Sequence, residues 1–216
     1  EGDSPYSQEM PWDPMLDYRV MGANTAHFMR LFHCHKPTIA KVRGWAVGGG
    51  SDIALACDLV VMAEDAWIGY PPARVWGCPT TAMWVYRLGP ERAKRMLFTG
   101  DLVTGREAAE MGLVLRAVPA DELDAAVDAL VRRIEGVPRN QLMMQKMVIN
   151  QALEAMGLAA TQRLATLFDG IARHTPEGMW FKQRAERVGF PAAVAERDSG
   201  APIAPGVSRR MPESRR

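Results

Sequence analysis

KPTIAKVRGWAVGGGSDIALACDL, residues 36–59, decides how the rest of the chain is read. Ile39, Ala40 and Val42, then Trp45, Ala46 and Val47 after the turn at Arg43-Gly44, suit short, buried extended segments. The pattern changes at Gly48-Gly49-Gly50. From Ser51 the residues Ile53, Ala54, Leu55, Ala56 and Cys57 lose alternation and read as a buried helix of small side chains. Ser51 and Asp52 are apt at its start. Three glycines at the junction let the backbone turn sharply and let another molecule approach main-chain N–H groups. Those groups lie at the positive end of the helix dipole, where an anion or a developing oxyanion is favoured.

Outward from this stretch, punctuation divides the chain. Residues 1–14 are rich in turn formers and read as a loop. Leu16, Val20, Met21, Ala23, Phe28, Leu31 and Phe32 recur at helical spacing, and Lys36-Pro37 ends that helix. Residues 58–63 (DLVVMA) read as a strand, and residues 65–69 lead to another. The loop YPPARVWGCPTT, residues 70–81, carries bulky side chains suited to the wall of a site. Residues 82–88 and 91–99 are predicted helices on either side of Gly89-Pro90. Thr104 and Glu107 stand at capping-box spacing before a helix over 106–111, and residues 113–118 read as a strand. Helices are expected over 123–134, from Pro138 to about Met156, over 158–171 and over 176–187. The class is α/β, with short strands and helices alternating before a helical block. The division expected is 1–137 spiral core, 138–198 helical region and 199–216 disordered tail.

Composition narrows function by exclusion. The 216 residues suffice for one domain with a full core. A formal charge of +1 supplies no basic field for nucleic acid. No apolar run reaches the roughly 20 residues needed to cross a bilayer. Cys34, Cys57 and Cys78 form an odd set without metal-site spacing, and no secretory leader is recognised, so the localisation expected is cytoplasmic. His33-Cys34-His35 reads as a helix end rather than a metal site, because adjacent side chains diverge.

The order and spacing of several motifs together are specific. The stretch at 36–59, IGYPP at 68–72, LGPERAKRMLFTGDLVTGREAAEMGLV at 88–114 and EGM at 177–179 resemble the enoyl-CoA hydratase/isomerase (crotonase) family. The resemblance runs over residues 36–190. It implies a spiral of ββα turns holding an acyl-CoA thioester, with no cofactor beyond the coenzyme A of the substrate. It also implies a homotrimer or homohexamer built through the C-terminal helices. The implied chemistry is stabilisation of a thioester enolate by two backbone N–H groups. Gly49 would supply one of them, flanked by Gly48 and Gly50. The other would come from an earlier small-residue loop, which is not found before Lys36. The chain opens on Glu1, and the spacing leads us to expect that loop in a preceding portion of a longer protein.

Asp52 stands where the resemblance implies the first catalytic carboxylate, one carbon shorter than the family's usual glutamate. In the first turn of a helix its anion should be favoured, which suits a base more than a donor. The plainer reading is a helix-start charge. Pro72 stands where the second glutamate is implied, so ordinary two-carboxylate hydration lacks one group. Tyr70, Arg74 and Trp76 could touch the acyl substrate or serve only to pack the loop. Lys182, Arg184 and Arg187 could meet the coenzyme's phosphates or form a solvated face. Ser51 could be a nucleophile in principle, but no base can be placed beside it and the elbow pattern is incomplete, so it reads as a helix-start residue. The triplet also lacks the residues of a nucleotide-binding P-loop. The activity implied is enoyl-CoA hydration or isomerisation; the alternative is a catalytically weak paralogue that binds acyl-CoA or acts as an assembly partner.

Overall fold

The computed structural model describes residues 13–203. The loop expected over 1–14 and the tail expected over 199–216 therefore lie largely outside the described residues. Helix α1 (Pro14–His33) opens them. The Asp13 side chain accepts from the Met15 amide, and proline in the first turn loses no helical hydrogen bond.

Two strands follow, β1 (Ile39–Val42) and β2 (Trp45–Val47), then α2 (Gly49–Ala56). The pattern repeats with β3 (Leu59–Ala63) and β4 (Trp67–Gly69). Each turn of chain lays its first strand beside the first strand of the previous turn. Ile39 pairs with Leu59 and Val42 with Met62, in parallel. Trp45 pairs with Trp67 and Val47 with Gly69, also in parallel. β5 (Leu102–Thr104) adds antiparallel to β4, and β6 (Arg116–Val118) adds parallel to β3. Two three-stranded sheets result, β1-β3-β6 and β2-β4-β5. Val60, Val61, Met62 and Ala63 are wholly buried, as a parallel strand covered on both faces requires.

Helix α3 (Met83–Thr99) contains the expected break, with Gly89 at φ 73° and ψ 171°. Its two halves are the helices read on either side of Gly89-Pro90. α4 (Gly105–Glu110) starts on a complete capping box: Thr104 Oγ1 accepts from the Glu107 amide while the Glu107 carboxylate accepts from the Thr104 amide at 2.7 Å. Thr104→Ala should lower stability by about 1 kcal/mol, read as a shift in urea midpoint at unchanged slope. The strand expected over 113–118 shortens to β6, because residues 113–115 are spent bringing the chain back from α4. The amide of Leu113 bonds the carbonyl of Ala108 and that of Leu115 bonds Val60.

The helical block comprises α5 (Leu123–Glu135), α6 (Arg139–Ala155), α7 (Leu158–Ala172), α8 (Pro176–Val188) and α9 (Phe190–Asp198). β5 and α9 were not read from the sequence. α6 is fastened to the core by the buried Lys146 ammonium, which donates to the carbonyls of Leu31 and Lys36 and to Asp58. α7 runs against α1, with Thr25 and Thr166 hydroxyls 3.4 Å apart between them. That contact brings α7 back to the spiral core. No helix among the described residues is long and apolar enough to cross a membrane.

Candidate active site

Gly48 ends β2 in a conformation costly to any residue with a Cβ, φ 57° and ψ −123°. Its amide donates to Gly69 on the neighbouring strand, and its carbonyl accepts from the amides of Ser51 and Asp52. The amides of Gly49 and Gly50 thus occupy the first turn of α2, where a helix has no acceptor of its own to offer. Both residues are exposed, whereas Gly48 is buried. A Cβ on Gly48 would lie 3.6 Å from Pro72 Cγ, and one on Gly49 would lie 3.5 Å from Phe28 of α1. The Ser51 hydroxyl is turned back to the Gly48 carbonyl at 2.7 Å and is fully buried, which is how a helix-start serine behaves.

Asp52 points inward and is 2% exposed. Its Oδ1 accepts from the Thr81 hydroxyl at 2.5 Å. Thr81 is itself held by what surrounds it. Gln162 of α7 donates to its carbonyl, and the next residue, Ala82, is forced to φ 58°, a left-handed conformation unusual for a non-glycine. Burial pushes the Asp52 carboxyl up to about 7, against the Thr81 hydrogen bond, and the charge of Asp169 pushes it further the same way. The anion favoured by the helix dipole in the sequence reading is therefore overruled by desolvation. Asp52 can hold or release a proton near neutrality.

The loop after β4 begins with a single 3₁₀ turn, Pro71–Arg74. Tyr70 is buried, and its hydroxyl donates to the Cys78 carbonyl at 3.2 Å. Burial, helped by Asp52 and Asp169, keeps that phenol protonated far above its ordinary range. Arg74 serves the fold: Nε donates to the Arg197 carbonyl at 2.6 Å and Nη1 to the Thr99 carbonyl at 2.9 Å. Its side chain is thereby tied to α9 and the end of α3. Trp76 packs edge-on against Phe181 of α8, with the Arg173 guanidinium over its ring. Of the loop residues read as candidates, Tyr70 and Pro72 stand with Gly48 and Asp52, while Arg74 and Trp76 face the C-terminal helices.

Arg184 pairs with Glu196 of α9, and Lys182 pairs with Glu186 on its own helix. Lys182 and Arg184 are thus neutralised by carboxylates, and Arg187 remains on an exposed position of the same helix. Among the described residues no group of three His, Cys, Asp or Glu side chains could hold a metal ion. An apolar cavity of about 400 Å³ lies elsewhere, between α3 and α6, lined among others by Phe32, Met83 and Leu153.

Comparison with known proteins fits this geometry. The profile of the family described as Enoyl-CoA hydratase/isomerase matches residues 13–185. The chain belongs to that family. The crystal structure of an enoyl-CoA hydratase from Mycobacterium smegmatis superposes with a TM-score of 0.85 at 51% identity, over 90% of this chain and 66% of that one. An enoyl-CoA hydratase/isomerase from Xanthobacter autotrophicus Py2 does so with a TM-score of 0.81 at 33% identity, over 89% and 72%. A Thermus thermophilus relative named for enoyl-CoA hydration is 37% identical over 171 residues, 74% of this chain and 67% of its own. The chain spans about two thirds of the length of the first of these structures and of the Thermus relative. The two three-stranded sheets and the helical block are accordingly the crotonase-like α/β fold.

Two residues that act on Asp52, Thr81 and Asp169, are not among the candidates the sequence offers. The nearest local signal for the first was its place at the end of a proline-punctuated loop. For the second there was none, because α7 reaches the loop only through tertiary packing on α1.

Proposed function

We propose that the protein acts on an acyl-CoA thioester as an enoyl-CoA hydratase or isomerase. The Gly49 amide would donate to the enolate oxygen while Asp52 exchanges a proton with the acyl chain. The observation that carries this reading is a buried carboxyl poised near neutrality, one turn into a helix whose first amides lack intrahelical acceptors. The fixed donors would meet charge as it develops, and the carboxyl would move the proton that creates or consumes it. Gly48 and Gly50 give the thioester its approach, and Pro72 and Tyr70 wall the acyl group.

A second reading rests on Pro72. With no carboxylate on that loop, the chain could instead be a catalytically weak paralogue that binds acyl-CoA or joins an assembly. Family likeness and the exposed apolar side chains Met147, Val148, Leu164 and Phe168 on α6 and α7 support a homotrimer or homohexamer. Absorbance at the enoyl-thioester band separates the two readings. With crotonyl-CoA and longer enoyl-CoAs we expect a loss of signal on hydration, or a shift on isomerisation. No change, with CoA-ester binding still measurable by calorimetry, would reject catalysis and leave the paralogue.

A further inference from the structure

Addition of water across an enoyl double bond needs two proton-handling groups. One removes a proton from water as its oxygen attacks Cβ, and the other delivers a proton to Cα. Asp52 can be only one of them in a given direction. Asp169 acts electrostatically on both Asp52 and its neighbour Tyr70 from across the site, whereas the Tyr70 phenol, kept neutral and bonded to Cys78, is poorly suited to accept a proton.

Asp169 comes from α7 and is 4% exposed. Its Oδ1 accepts from the Cys78 amide at 2.9 Å. Gly77 is a close neighbour both of this carboxylate and of the proline that stands where the loop carboxylate is implied. A Cβ on Gly77 would lie 3.0 Å from Asp169 Oδ1, 3.3 Å from Pro72 Cβ and 3.4 Å from Tyr70 Cε1. Pro72 in turn borders Gly48. A carboxylate from a distant helix thus shares Gly77 as a neighbour with the proline at the position that the loop leaves empty of one.

We propose that Asp169 is the second acid/base of the site, supplied from α7 in place of the carboxylate that Pro72 excludes. This rests on the hydratase reading above. In the hydration direction the Asp169 carboxylate takes a proton from water as the O–Cβ bond forms. The π electrons pass to the thioester enolate, whose oxygen the Gly49 amide receives. Protonated Asp52 then gives its proton to Cα and the carbonyl re-forms. The substrate gains H and OH, and the proton gained by Asp169 equals the one lost by Asp52, so one exchange between them resets the pair.

The surroundings suit these roles. Burial lifts Asp169 to about 6, opposed by Arg173 and the Cys78 amide and assisted by Asp17. The groups facing it are Asp52 of α2, Tyr70 and Cys78 of the loop, Arg173 just past the end of α7 with Nη2 at 3.7 Å from Oδ2, and Asp17 of α1, which His174 contacts at 2.8 Å. At neutral pH Asp169 is mostly ionised while Asp52 keeps a large share of its proton.

Asp169→Asn tests this, because the amide oxygen can still accept from Cys78 and leave the loop in place. We expect kcat for crotonyl-CoA hydration to fall by about 10²-fold with KM nearly unchanged. One limb of the wild-type bell-shaped pH profile should vanish, and the other should move to lower pH as Asp52 loses a neighbouring negative charge. Asp169→Glu should restore part of kcat. Wild-type hydration with an unaltered rate and profile in Asp169→Asn would overturn the proposal and leave the hydratase reading intact. An inactive wild type would overturn both. If Asp169→Asn does not fold, the wild-type kcat/KM profile decides: one ionisation instead of two between pH 5 and 8 overturns the assignment.

Discussion

Asp52→Asn is expected to lower the turnover of an enoyl-CoA thioester by about 10²–10⁴-fold while CoA-ester binding changes little. Asparagine has nearly the same shape, and its amide oxygen can still accept from Thr81. What it cannot do is hold and release a proton. The loss should therefore fall on kcat and kcat/KM alike, the pattern of an interaction made only in the transition state. Thr81→Val gives an independent check of the cause. The Thr81 hydroxyl holds the Asp52 pKa down against burial, so removing it should move the Asp52 limb of the pH–rate profile to higher pH. A profile unmoved by Thr81→Val, or full activity in Asp52→Asn, would remove Asp52 from the chemistry.

What the sequence disclosed and what it hid divide by distance along the chain. The β2 turn, the start of α2, the Thr104–Glu107 box and the break at Gly89-Pro90 all depend on residues a few positions apart. Their chemistry is local, and so was their reading. β5 escaped because three residues, Leu102–Thr104, carry too little pattern; only pairing with Trp67–Gly69 makes them a strand. Arg74 looked like a substrate contact because its sequence neighbours form a loop. The carbonyls that claim it belong to Thr99 and Arg197, far along the chain. Asp52 shows the point most directly. The helix dipole is legible at the start of α2 and favours the anion, yet the burial that decides the outcome, and the Asp169 charge that adds to it, come from tertiary packing.

The same burial has a thermodynamic consequence at the level of the whole fold. Between about pH 4 and pH 7, native Asp52 retains a proton that the unfolded chain, with an ordinary carboxyl near 3.8, has already released. Asp169 behaves alike between about pH 4 and pH 6. The native state therefore binds more protons across this window, and stability must fall as pH rises through it. Its full value is present below the unfolded pKa and is lost by the time pH reaches the native one. At 1.36 kcal/mol per unit, a shift this large corresponds to about 3 kcal/mol after allowing for relaxation around the buried group. Glu107, Asp124 and Glu196 oppose the trend, since their carboxyls are held below their ordinary values by Thr104, Lys41 and Arg184. Their contribution is lost only as pH falls through the acid range, so the interval from pH 5 to 7 belongs to the buried pair. Urea midpoints should accordingly decrease from pH 5 to 7 in the wild type; in Asp52→Asn, where only Asp169 still holds its proton late, they should fall less, with a shallow decline up to about pH 6 and nearly level values from there to pH 7. A midpoint that rises over that interval in the wild type would show that Asp52 is ionised in the native state, and the proton it is asked to deliver would not be there. A carboxyl kept half-protonated at neutral pH is thus a cost to folding, and replacing it should yield a more stable protein with less chemistry.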